Sequence, residues 1–219
     1  MINRLALSGR MRAGKDHVAK TCGYKIVSFS QPIYWLLEAY CGTSDKRYPG
    51  IREMMQKVGQ WGWGSVSQQY PITFERIGFT NWVRFKLHDY HGAYPSLSGI
   101  NWFQYGNQKD FWVRILLDRV AKLSPTEKVA VVNVRFDHEL APLRDAGFSH
   151  YHVYCEESTR RSRFGDEPFN ESEQLDESEL FAVQQKVLLP DDRVIWNDHN
   201  PVPPGKAYIT IGQFIELTR

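Results

Sequence analysis

The chain has 219 residues, 42% of them hydrophobic and 24% charged, with a formal net charge of +2. That length supports one well-packed domain with inserted segments, and so small a charge argues against nucleic acid or a membrane surface as the main partner. Three scattered cysteines without a C-x-x-C pair argue against a disulfide framework or zinc ribbon and fit a reducing cytoplasm. The amino terminus reads as strand and loop rather than a signal peptide, and no apolar run reaches the about 20 residues of a membrane span.

Residues 2–22 read as a short apolar strand centred on Leu5-Ala-Leu7, a loop bounded by Gly9 and Gly14, then Lys15 and a helix. The pattern is G-x-x-x-x-G-K, the phosphate-binding loop (P-loop), with Asp16 where Ser or Thr is usual. Glycines let backbone N–H groups curl around phosphate oxygens, Lys15 supplies a point charge, and the helix N-terminus adds partial positive charge. Gly9, Arg10, Arg12, Ala13, Gly14, Lys15, Asp16 and His17 are therefore the candidate cradle for a nucleotide's phosphates, with Lys15 as the first catalytic candidate. Asp16 reads two ways: a carboxylate close to Mg²⁺ through water, or a first-turn acid stabilised by the helix dipole.

Further along, residues 24–29 predict a second strand. Pro32 with Ile33, Leu36, Leu37 and Tyr40 predicts a helix, and 50–60 another. Residues 61–108 crowd aromatics without a sustained period. They read as an insertion with one helix near 79–90, forming a hydrophobic minicore of its own or a contact in an oligomer such as a homodimer, in preference to a base-stacking surface. His88 and His91 lack further ligands at metal spacing. Residues 110–123 predict a helix capped by Asp110, with Phe111, Ile115, Leu116 and Val120 on its apolar face.

The continuous apolar run Val129–Val134 is the mark of a strand buried on both faces of a parallel sheet. A helix near 139–146 stops at Gly147, and 151–155 predict a fourth strand. Residues 156–191 are polar with helical stretches, and 193–196 predict a fifth strand. After the stiff linker 201–205, Thr210 with Gln213 resembles the capping box of a last short helix. Strands alternating with helices imply a parallel α/β sheet with right-handed crossovers.

Several motifs in series carry a resemblance. The loop Gly9–Asp16 ends in G-K-D. Ser28-Phe-Ser-Gln-Pro-Ile33 is similar to S-F-A-x-P-L, Arg52–Gly59 to R-E-L-L-Q-x-x-G, and Asp110-Phe-Trp-Val to D-x-W-V. Asn133–Glu139 is similar to D-V-R-F-P-N-E, Ser172-Glu173 to an S-E after the lid, and Val194–Asp198 to V-I-x-N-D. In this order they resemble the phage and bacterial deoxynucleoside monophosphate kinases, a branch of the P-loop nucleotide kinases. The resemblance implies a three-layer α/β fold of P-loop nucleotide kinase type with a parallel five-stranded sheet. It implies a single domain over 1–219, with the acceptor-binding region and aromatic-rich insertion at about 29–108 and a lid at about 156–190. It implies an enzyme that uses ATP and Mg²⁺ to phosphorylate a (deoxy)nucleoside monophosphate, with small nucleotides as partners, in the cytoplasm (the host's, if phage-encoded).

The same resemblance assigns roles. Arg160, Arg161 and Arg163 are lid arginines that neutralise the transferring phosphoryl group and exclude water, or else a solvated basic helix face. Arg52 is a clamp on the acceptor phosphate or a partner of Glu53, and Gln56 a reader of the acceptor base. Arg135 points to the carboxyl edge where α/β sheets bind ligands, or pairs structurally. Phe29 and Trp112 stack on the acceptor base or belong to the core. Asn197, with Asp198, lines the donor adenine pocket or forms a plain turn. Two departures stand out: Asn133 occupies the place of an acid that helps hold the water shell of Mg²⁺, and Asp137-His138 replace Pro-Asn. Two rival functions remain from sequence: a P-loop kinase of another small phosphorylated metabolite, and a nucleotide-binding protein without turnover.

Overall fold

The computed structural model describes residues 2–31, 33–34, 38, 44–45, 111–165 and 177–219, with Phe111 and 177–180 described by backbone alone. Most of the predicted helix at 32–40, the helices at 50–60 and near 79–90, the insertion 61–108, the cap Asp110, the acceptor candidates Arg52 and Gln56, and residues 166–176 of the lid lie outside the described residues.

Strands β1 (Arg4–Ser8), β2 (Lys25–Val27), β3 (Val129–Val131), β4 (Ser149–Tyr154), β5 (Val194–Trp196) and β6 (Ile209–Thr210) form one sheet in the order β2-β3-β1-β4-β5-β6. Every pairing is parallel. The described helices are α1 (Lys15–Thr21), α2 (Phe111–Ala121), α3 (Asp137–Asp145), α4 (Glu157–Ser162), α5 (Glu177–Leu188) and α6 (Ile211–Thr218). Among the described residues the sheet thus has six strands, not the five predicted. The added strand pairs only Ile209 and Thr210 with Ile195 and Trp196. Two residues are too few to leave an alternating pattern.

Parallel strands need helical crossovers, and here the helices pack on both faces of the sheet. On one face, Leu5, Leu7, Tyr151, Val153 and Ile195 meet Val18 and Ala19 of α1 and Phe214 of α6 in the main core. On the other, α3 and α5 lie against β4. That second face carries Ser8, His150, His152 and Tyr154, because alternate residues project to opposite sides of a strand. A smaller cluster of Val194, Trp196 and Tyr208 closes the β6 edge.

Helix starts follow the local chemistry. Thr210 and Gln213 form the predicted capping box of α6: the Thr210 hydroxyl accepts the Gln213 N–H, and Gln213 Oε1 accepts the Thr210 N–H at 2.8 Å. Helix α3 begins at Asp137, two residues earlier than predicted, because the Glu139 carboxylate accepts the N–H groups of Arg135 at 2.6 Å and Phe136 at 3.2 Å. Cys22 and Cys155 are free and buried. Among the described residues no helix is long and apolar enough to cross a membrane.

By contacts the chain divides into two compact units, Met1–Ser28 with Arg119–Arg219, and Phe29–Asp118. All six strands, and the site described next, belong to the first.

Candidate functional site

β1 ends at Ser8 in the interior of the sheet, and the chain must turn at once to enter α1. Gly9 makes the first bend at φ +145, where a Cβ would run into the carbonyl oxygen of Val153 on β4. Gly14 makes the last at φ +90, where a Cβ would strike the Asn197 amide. Both conformations belong to glycine, which is the physical reason for the spacing of the motif. Between them Arg12 takes φ 62, and the Ala13 N–H returns to the Arg10 carbonyl at 3.1 Å.

The outward carbonyls of this loop are held by cations and one amide. Arg160 Nη1 donates to Met11 O at 3.2 Å. Arg163 Nη1 donates to Arg12 O at 3.1 Å and Ala13 O at 3.2 Å, while its Nη2 donates to Asn197 O at 2.9 Å. Asn197 Nδ2 donates to Ala13 O at 2.7 Å. In a trans peptide the N–H lies opposite the C=O. Holding the carbonyls of 11–13 on one side therefore turns the amides of Arg12 and Gly14 to the other. Lys15 reaches over the loop, with Nζ 2.6 Å from Gly9 O and 3.0 Å from Arg10 O.

The lid candidates thus separate. Arg160, only 1% exposed, and Arg163 bind the loop's own backbone. Arg161 lies on the outer side of α4 in an ion pair with Glu157 at 2.7 Å. Glu157 also faces Arg10 at 4.0 Å. The Arg12 guanidinium lies 5.3 Å from the centroid of the Phe164 ring. Asp16 and His17 are exposed in the first turn of α1.

Asp198 ties the loop after β5 to the start of α4. Its carboxylate accepts the Glu156 N–H at 2.6 Å, the Thr159 hydroxyl at 2.9 Å and the Asn200 N–H at 3.1 Å. Burial opposes its charge, yet these bonds outweigh it and hold its pKa below the ordinary value. Asn197 and Asp198 together anchor both the glycine loop and the helix carrying Arg160. Sequence reasoning weighed a pocket or a turn here. The signal for the anchor was Thr159 three residues after Glu156, a helix start without its own side-chain cap.

On the β3 side, Asn133 Oδ1 is buried with no hydrogen-bond partner among the described residues. Arg135 is exposed, and its backbone is fixed by Glu139. Burial raises the Glu139 pKa to about 7, against the pull of the Arg135 and Phe136 bonds. The folded state then keeps a proton that an unfolded glutamate releases near its model value of 4.5. Stability falls as pH rises from about 4.5 to about 7 through this group. Glu139→Gln keeps an acceptor for both N–H groups and should flatten that part of a pH series of thermal midpoints. An unchanged slope would show that Glu139 does not titrate there.

Phe29 and Trp112, in the second unit, are buried, at 4% and 5% exposure. Sequence reasoning passed over Ser8, His150 and His152; the Ser8 hydroxyl, next to Gly9, hydrogen-bonds both histidines. The available signal was His-x-His within an otherwise apolar strand, opposite a Ser ending the neighbouring strand.

No described group of three or more His, Cys, Asp or Glu side chains is arranged to hold a metal ion. The donors near the loop are one exposed carboxylate, Asp16, and the neutral, unpartnered Asn133 oxygen. That set fits Mg²⁺ held chiefly by phosphates, with these two oxygens touching its water shell. The chain matches no protein-family model and no curated protein.

Proposed function

We propose that the chain transfers the γ-phosphoryl group of ATP to a (deoxy)nucleoside monophosphate, as a P-loop kinase. One observation carries the proposal. The carbonyls of Met11, Arg12 and Ala13 are turned outward onto Arg160, Arg163 and Asn197, which leaves backbone N–H groups and the Lys15 ammonium on the opposite side. Such a surface is a preformed anion cradle. The sheet order supports it as well: β1 lies between β3 and β4, so the loop opens at the carboxyl edge where the connections diverge.

In the proposed reaction an oxygen of the acceptor phosphate attacks the γ-phosphorus. The bond to the β–γ bridging oxygen breaks, and ADP leaves. Lys15 and the loop amides orient the triphosphate and take up charge developing on the β–γ bridge. Arg160 and Arg163 act as positioning residues, since they aim the loop. Arg52 and Gln56, on the acceptor side, enter from the resemblance. Mg²⁺, when bound, would neutralise charge on the phosphates, with Asp16 and Asn133 as the residues that would hold its water shell.

Pure protein incubated with ATP, Mg²⁺ and each nucleoside monophosphate in turn should yield the diphosphate and ADP with at least one acceptor. No diphosphate with any of them contradicts kinase activity. ATP binding without transfer would favour the non-catalytic reading, which Asn133 in place of an acid motivates.

A further inference from the structure

Ser8 and His152 are partners in the β1–β4 register, and they share a sheet face with His150. Ser8 Oγ lies 2.8 Å from His150 Nε2 and 3.1 Å from His152 Nδ1. The three are buried, at 0%, 6% and 1% exposure. A direction can be assigned to this cluster from its outer end. Arg144 Nη2 lies 3.3 Å from His150 Nδ1. A guanidinium only donates, so Nδ1 accepts and the His150 proton sits on Nε2. That N–H donates to Ser8 Oγ, which frees the Ser8 hydroxyl to donate to His152 Nδ1. The proton of His152 is therefore on Nε2.

Both imidazoles are neutral near pH 7. Burial lowers the His150 pKa to about 4, helped by Arg144 and Arg193, and the His152 pKa to about 3, helped by His150, Lys15 and Lys186. Yet His152 Nε2–H meets no acceptor among the described residues. Nor is this nitrogen among the fully enclosed unpartnered atoms, so the small exposed part of His152 leaves it open to an incoming acceptor. Its setting says what would answer it. His152 directly precedes Val153, whose carbonyl abuts Gly9. Lys15 caps that end of the loop. On the same face of β4, Lys186 Nζ stands 3.4 Å from the centroid of the Tyr154 ring. A neutral donor close to two ammonium groups suits an anionic oxygen.

We infer that His152 Nε2–H is a further ligand donor of the loop site, hydrogen-bonding an oxygen of the bound triphosphate, with Arg144, His150 and Ser8 as the positioning chain that fixes its tautomer. The inference rests on the phosphate reading of the loop and adds a residue from β4 to it.

Long-range ¹H–¹⁵N NMR of the labelled full chain tests it, with ATP and inorganic triphosphate as probes and calorimetry alongside. The free protein should show His152 protonated at Nε2 and bare at Nδ1. Either probe should move the Nε2–H proton signal downfield. His152→Phe should weaken triphosphate binding about tenfold or more, the scale of a hydrogen bond to a charged group, while His152→Gln, which keeps a donor, should retain most of it. Melting curves check that both variants fold, and the wild-type spectra decide the matter if they do not. An Nδ1–H tautomer, or a signal unmoved while calorimetry records ATP binding, would overturn the role of His152 and leave the loop reading intact. Absence of any triphosphate binding would overturn both.

Discussion

Replacing Lys15 by methionine should cut phosphoryl transfer by about 10²–10³-fold, the usual cost of removing one preorganised electrostatic donor, and should weaken ATP binding in parallel. Methionine keeps the unbranched length of the side chain and the helix propensity of the position, so the charge alone is removed. The ammonium is held in place by the carbonyls of Gly9 at 2.6 Å and Arg10 at 3.0 Å. It reaches the loop already oriented and gives up little freedom when a phosphate arrives. Thermal melting should change little, since the side chain is only partly buried. ATP affinity equal to wild type in this variant would remove Lys15 from the site.

Gly9→Ala should be the most damaging single-methyl change in the loop. The residue sits at φ +145, and the added Cβ would overlap the Val153 carbonyl, a backbone atom of β4 that cannot swing away. Strain and overpacking together should cost about 2–5 kcal/mol, which lowers the thermal midpoint by roughly 5–15 °C for a chain of this size. Gly23→Ala supplies the control. That position is also left-handed, at φ +75, but nothing lies within 4 Å of a new Cβ. It should lose only the backbone term, about 1 kcal/mol. Equal melting shifts in the two variants would show that the approach of β4 to Gly9 does not matter.

The parts of the fold legible in the sequence were those written in periodicity. Leu5–Leu7 and Val129–Val131 are continuous apolar runs because their strands are covered on both faces, and the capping pair Thr210 and Gln213 announced α6. Strand β6 was not legible, since two residues carry no period and Thr210 serves sheet and cap at once. At the site, the glycines were legible because their conformations exclude other residues. The targets of Arg160 and Arg163 were not: a guanidinium binds a phosphate oxygen and a peptide carbonyl with the same donors, and only the folded chain shows both on the loop backbone. The Ser8–His150–His152 chain stayed hidden for a related reason. Its three members come from two strands that are neighbours only once β1 and β4 pair.

Titration calorimetry of the full chain with ATP and Mg²⁺, run beside the Lys15→Met variant, tests the phosphate cradle most directly. A saturable heat with one ATP per chain, lost or greatly weakened in the variant, is the expected result. No heat with ATP or any other purine triphosphate, or identical curves for the two proteins, would contradict it.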